Sequence, residues 1–196
     1  MNQWNRRRFI ALMGGMAAVV GFTSCEKTPE TKEESYRKLE EFLATKKWQA
    51  ADLKTLELML KITNLEEEGY LGVEPSRSFP CTDLQTINNL WFKYSDGRFG
   101  LSVQEKIWES MGFQPGAYNY ENFYQLAERV GWRRNGQWIK YNDLNFSINA
   151  PEGHLPVRII AEEWDISIRN PKRRLFASME VLWTDLTARI VKCNIK

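Results

Sequence analysis

The residues of this 196-residue chain with most capacity for chemistry are few and scattered. They are Cys25, Cys81 and Cys193, the sole histidine His154, and arginines at 98, 133, 134 and 189. No Cys-x-x-Cys occurs and one histidine is available, which argues against zinc and iron–sulfur sites. A nucleophile–base pair would require Cys81 with His154. Nothing local activates Cys81, which follows Pro80 at an expected helix start, where capping or packing is a sufficient role. Catalysis is therefore not expected. The arginines are forks suited to carboxylates, and 25 Phe, Trp and Tyr residues supply flat apolar surface. The simplest reading of Leu90, Trp91, Phe99, Trp132 and Trp138 is core, and of Gly97 and Gly100 a tight turn. Arg133 and Arg134 read most simply as solvated. These materials alone describe an aromatic-rich helical domain with an export signal.

The elements that would position these groups follow from periodicity. Tyr36, Leu39 and Leu43 fall at helical spacing, and Leu53, Leu56 and Leu60 repeat it after a break near Lys46-Lys47. Gly69 to Ser78 reads as a turn-rich connection. Pro80 opens a third helix with Leu84, Ile87 and Trp91 on its apolar face, ended by Asp96-Gly97. Ser102 and Glu105 form a capping-box pattern for a helix carrying Val103, Ile107 and Met111. Tyr120, Phe123, Ala127 and Val130 mark another, stopped by Gly131. Asn135-Gly136 is a two-residue turn signal, for a short hairpin or a loop. Pro171 starts the last helix, where Phe176, Met179, Trp183, Leu186 and Ile190 form the clearest amphipathic face. The expected fold is all-α, a compact bundle of six or seven helices, with no internal repeat.

Residues 1–24 do not read as globular. Arg6-Arg7-Arg8 precedes an apolar run from Phe9 to Phe22, then Thr23-Ser24-Cys25. This is a signal-peptide pattern, too short to span a bilayer comfortably. Arg6 to Ile10 resembles a twin-arginine export signal, and Phe22 to Cys25 resembles a lipobox that lipidates Cys25, though Phe22 stands where Leu is usual. An uncleaved N-terminal anchor is the alternative. The expectation is export and membrane anchoring as a lipoprotein, on the periplasmic or thylakoid-lumen side, with a cytoplasmic location as the alternative. Residues 25–35 read as a polar tether and residues 36–196 as one domain. Without the three signal arginines the chain has 24 basic and 25 acidic residues, which leaves no nucleic-acid footprint. An oxidising compartment permits Cys81 and Cys193 to pair. Export of an already folded chain favours two free, buried thiols, and that is the expectation.

Three segments taken in order carry a resemblance. They are L-W-F-K-Y-S-D-G-R-F-G-L-S-V-Q at 90–104, G-W-R at 131–133 and P-E-G-H-L-P at 151–156. Together they resemble the Genomes Uncoupled Four family, known for binding porphyrins and stimulating magnesium chelatase in chlorophyll synthesis. The resemblance covers roughly residues 35–160. It implies a non-catalytic helical domain with a concave hydrophobic face that carries, shields or senses protoporphyrin IX or magnesium-protoporphyrin IX. By the same resemblance Phe99, Leu101, Val103 and Ile107 are candidates for the greasy surface, Trp164 for an aromatic residue on a flexible loop, and Arg189 for the carboxylate partner. Leu101 stands where Phe is common, and three acids surround Trp164. His154 becomes a candidate ligand to a porphyrin metal, although a Gly-His-Leu-Pro turn more often uses its histidine for a local hydrogen bond. The family implies a chelatase subunit as partner, which an exported chain would not meet. A membrane-anchored protein-interaction module that kept the fold and lost porphyrin is the alternative.

Overall fold

The computed structural model describes residues 30–117, 119–160 and 179–196. Among them are seven α-helices: α1 Lys32–Ala44, α2 Trp48–Thr63, α3 Val73–Ser78, α4 Cys81–Tyr94, α5 Leu101–Ser110, α6 Tyr120–Arg129 and α7 Met179–Lys192. The fold is all-α, as expected. Among the described residues no helix is long and apolar enough to cross a membrane.

Local chemistry sets several of these boundaries. Thr31 and Glu34 form a reciprocal capping box at the start of α1. Residues 32–35 are therefore helical, and the tether expected over 25–35 is shorter than its polar composition suggests. A turn over 45–47, with Lys46 in the left-handed region, returns the chain so that α2 packs along α1. The connection expected at 69–78 contains a short helix, α3, which lies on α7. The hairpin at Asn135-Gly136 forms between β1 Arg133–Arg134 and β2 Gln137–Trp138. Both turn residues have positive φ, the conformation a two-residue hairpin turn requires.

The core is unusually aromatic. Trp91, Trp108, Trp132, Trp183, Phe79, Phe99 and Phe123 are all fully buried. Trp48 and Trp91 meet Phe99 on the α2–α4 side, at ring separations of 5.4 and 6.4 Å. Trp108, Trp183 and Phe123 meet where α5, α6 and α7 converge.

Cys81, the first residue of α4, is disulfide-bonded to Cys193 just past α7, with Cα atoms 5.4 Å apart. This corrects the expectation of two free, buried thiols. Both cysteines are half-buried, at the ends of helices that pack together. The bridge also removes Cys81 as a nucleophile.

Candidate functional site

The three segments that looked separate in the chain are one knot in space. The Gly100 amide donates to the Leu155 carbonyl and the Gly153 amide to the Arg98 carbonyl, both at 3.0 Å. Arg98 Nη2 donates to Ala150 O at 2.7 Å. Trp132 Nε1 donates to the His154 carbonyl at 2.8 Å. His154 Nδ1 lies 2.6 Å from the Val130 carbonyl, so that nitrogen carries the proton. Burial lowers the His154 pKa, keeping the ring neutral. The histidine is thus committed to a hydrogen bond, but to Val130 across 24 residues rather than locally within its own turn.

Gly153 shows how tight the knot is. Its φ is +73°, and a Cβ there would sit 2.7 Å from Ile107 Cδ1. Only glycine meets both demands. Beside it, Gln104 bridges two elements. Its Nε2 donates to Pro156 O at 2.9 Å, and its Oε1 accepts from Trp183 Nε1 at 3.1 Å. A fully buried polar side chain in the middle of α5 is thereby satisfied at both ends.

Four of the six candidate porphyrin contacts belong to this core. Phe99, Leu101, Val103 and Ile107 are 0, 2, 3 and 9% exposed. Among the described residues they are packed in the core, and no concave apolar face is shown at these positions. The Gly100–Leu155 hydrogen bond and the seating of Gly153 on Ile107 fold the 151–156 loop over this end of α5. Trp164 and Cys25 lie outside the described residues. Arg189 is half-buried on α7, where its Nε donates to the Phe79 carbonyl at 2.7 Å. That bond fixes the guanidinium beside the end of α3.

Several residues escaped the sequence reading. Ser102 and Glu105 do not form their capping box. Asn88 of α4 supplies the cap instead, its Oδ1 accepting from Ser102 N at 2.9 Å and its Nδ2 donating to Ser102 Oγ at 3.0 Å. Glu105 is left buried, with Oε1 unpartnered. Burial, then the neighbouring Glu109, pushes its carboxyl up to about 7. Asp52 is a second buried acid. It accepts from Tyr141 Oη at 2.9 Å, Val157 N at 2.7 Å and Arg158 N at 3.1 Å, anchoring the chain just beyond the knot. Burial raises it to about 6 despite these donors. Arg133 is not simply solvated: its guanidinium stacks on Tyr124 at 4.3 Å and Trp138 at 5.4 Å. The Asn-Gly turn that follows Arg133 predicted the hairpin but not this stack.

The arrangement offers aromatic volume bordered by guanidinium groups. Cys81 and His154 form no nucleophile–base pair. Among the described residues no three His, Cys, Asp or Glu side chains gather as metal ligands. A cleft of about 340 Å³ lies beside α1, but Glu30, Glu34, Arg37, Lys38 and Glu41 line it, an environment ill suited to an apolar plate.

Fold and site together define a small all-α domain built around a buried aromatic knot. The GUN4-like family model matches residues 29–169, and the chain belongs to that family. The chain is 30% identical over 125 residues to a Ycf53-like protein of Synechocystis, spanning 62% of this chain and 50% of that one. It is 31% identical over 131 residues to the chloroplastic tetrapyrrole-binding protein of Arabidopsis thaliana, spanning 61% and 46%. The chain thus spans about half the length of the curated relatives it matches. The ligand-free structure of Arabidopsis thaliana GUN4 is similar with a TM-score of 0.57 and 27% identity, over 77% of this chain and 93% of that one. GUN4 of Chlamydomonas reinhardtii shares the fold, with a TM-score of 0.57 at 21% identity over 78% and 86%.

Proposed function

We propose that this chain is a non-catalytic tetrapyrrole-binding domain that carries, shields or senses a porphyrin. The observation that carries the reading is the convergence of the three family segments in one hydrogen-bonded knot, in a chain 31% identical to a protein named for tetrapyrrole binding. Protoporphyrin IX and magnesium-protoporphyrin IX are the proposed ligands. Each is a flat apolar plate with carboxylates at one edge. Such a plate needs aromatic surface and cations at the rim. Burying a few hundred Å² at about 25 cal/mol per Å² contributes several kcal/mol, against which association costs are set, so the rim contacts to the carboxylates must add to the affinity.

Arg189 is the proposed carboxylate partner, using the guanidinium nitrogens beyond the Nε held by Phe79. Trp164 remains the proposed loop aromatic. Phe99, Leu101, Val103 and Ile107 support the site from within the core rather than touching the ligand. Anchoring through a lipidated Cys25 on the exported side of a membrane is part of the proposal. A bridge between Cys81 and Cys193 supports the exported location alone, because such bridges persist in oxidising compartments. A chelatase subunit as partner has no such support in this chain.

Titration of the mature chain with protoporphyrin IX, read by quenching of the buried tryptophans, tests the central claim. Saturable quenching at micromolar concentrations is expected. Linear, unsaturated quenching to tens of micromolar would overturn it and leave the interaction-module reading.

A further inference from the structure

Glu30, the first of the described residues, is tied to both α1 and α2. The Glu30 carboxylate accepts from Lys38 Nζ, Lys54 Nζ and Ser35 Oγ, and its carbonyl accepts from Lys61 Nζ. Lys54 is itself buried. The two lysines and Ser35 hold the carboxyl down at about 2, so it is ionised at any working pH. Glu30 is therefore part of the domain. Four residues, 26–29, separate Glu30 from Cys25, and five peptide steps reach no more than about 18 Å.

The groups around Glu30 form one pole of the molecule. Lys32 Nζ and Tyr36 Oη both donate to Asp83 Oδ1, which brings the start of α4 beside the start of α1. The Cys81–Cys193 bridge adds the end of α7 to the same pole. The turn over 45–47 lies at the other end of α1, about 20 Å away at 1.5 Å per residue.

We propose that this pole faces the headgroups of a bilayer and the turn over 45–47 points away from it, an orientation that rests on the acylated Cys25 proposed above. Four of the pole's cations are already engaged, Lys32 by Asp83, Arg37 by Glu34, and Lys38 and Lys54 by Glu30, while Lys61 meets only the Glu30 carbonyl. The four paired cations have little charge left to offer anionic lipid, and a single lysine held by a carbonyl attracts it only weakly. Anchoring falls to the acyl chains and orientation to the short tether.

The experiment uses the full acylated chain in phosphatidylcholine vesicles containing a headgroup-nitroxide lipid. Glu33→Cys and Lys46→Cys variants each carry one fluorophore, and mass spectrometry of the N-terminal peptide reports acylation separately. Quenching at position 33 is expected to exceed that at 46 by at least threefold. Twenty Gly/Ser residues inserted before Glu30, with a flexible reach of about 25 Å, should bring the two positions close to equal. Equal or reversed quenching in acylated protein carrying the native tether overturns the orientation while leaving the anchor standing. An unmodified Cys25 overturns both together. A Cys25→Ser chain that still floats with phosphatidylglycerol vesicles overturns the assignment of anchoring to the acyl chains.

Discussion

Gln104 and Glu105 are neighbours on α5 with opposite consequences for stability. Gln104 satisfies Pro156 and Trp183 at once. Gln104→Ala leaves a buried carbonyl and a buried indole N–H unpaired, each costing about 1–3 kcal/mol. Thermal unfolding should show the variant destabilised by about 2–6 kcal/mol, and an unchanged midpoint would refute the bridge. Glu105 works the other way. Its folded-state value near 7 lies above the ordinary 4.5, so between those values the folded state holds a proton that the unfolded chain has lost. Stability therefore falls as pH rises through that window and levels off above it. Glu105→Gln should match the wild type near pH 4 and exceed it by on the order of 2 kcal/mol at pH 8. Urea denaturation at the two pH values checks this, and a pH-independent difference would count against it. Neither role was legible in the sequence. Ser102 and Glu105 have capping-box spacing, but the cap comes from Asn88, fourteen residues earlier, and only the packing of α4 against α5 delivers it.

At the scale of elements, the amphipathic periods were informative. The apolar faces of α1 and α4 lie where their spacing put them, as does that of α6 from Phe123 onward, and the Asn-Gly turn made its hairpin; Tyr120 of α6 and Leu53 of α2, placed on apolar faces by spacing, are exposed. α3 was hidden because six residues containing Pro75 carry no periodic signal, and its helix depends on resting against α7. α7 itself is fastened by three different means: the Cys193–Cys81 bridge, the Asp185–Arg77 ion pair at 2.9 Å and the Arg189–Phe79 hydrogen bond. Arg77 is more than half exposed, so the ion pair contributes little. The disulfide closes a long loop, with 112 residues of sequence separation, and bridges of this kind typically contribute about 2–4 kcal/mol by restricting the unfolded chain. A Cys81→Ala, Cys193→Ala double variant should lose about that much in urea denaturation. Dithiothreitol should lower the wild type and leave the double variant unmoved. Equal sensitivity of both proteins to the reductant would show that the bridge does not form.

Over the whole molecule, the family segments specify how the fold closes more directly than they specify a ligand surface. Large aromatic residues flanked by glycines have the same signature in a sequence whether they line a cleft or fill a core. Phe99 illustrates the difficulty. The Gly100 amide is tied to Leu155, and the Phe99 ring meets Trp48 and Trp91. What separates the two roles is the loop at 151–156, which returns from fifty residues away, and no local pattern announces that return. The distinction has a measurable consequence for porphyrin binding. Phe99→Ala opens a cavity in the core and should lower stability by about 3–5 kcal/mol. At a temperature where the variant remains folded, its protoporphyrin Kd should stay within about twofold of the wild type. Arg189→Gln removes a charge from α7 and, among the described residues, one hydrogen bond. Its Tm should fall by a few degrees at most, while its Kd should rise about tenfold, the equivalent of 1.4 kcal/mol. Paired calorimetry and fluorescence titration on both variants distinguish core from contact. If Phe99→Ala weakens binding in fully folded protein and Arg189→Gln does not, the assignment of these residues is reversed, and the porphyrin must enter the space that the Phe99 ring occupies.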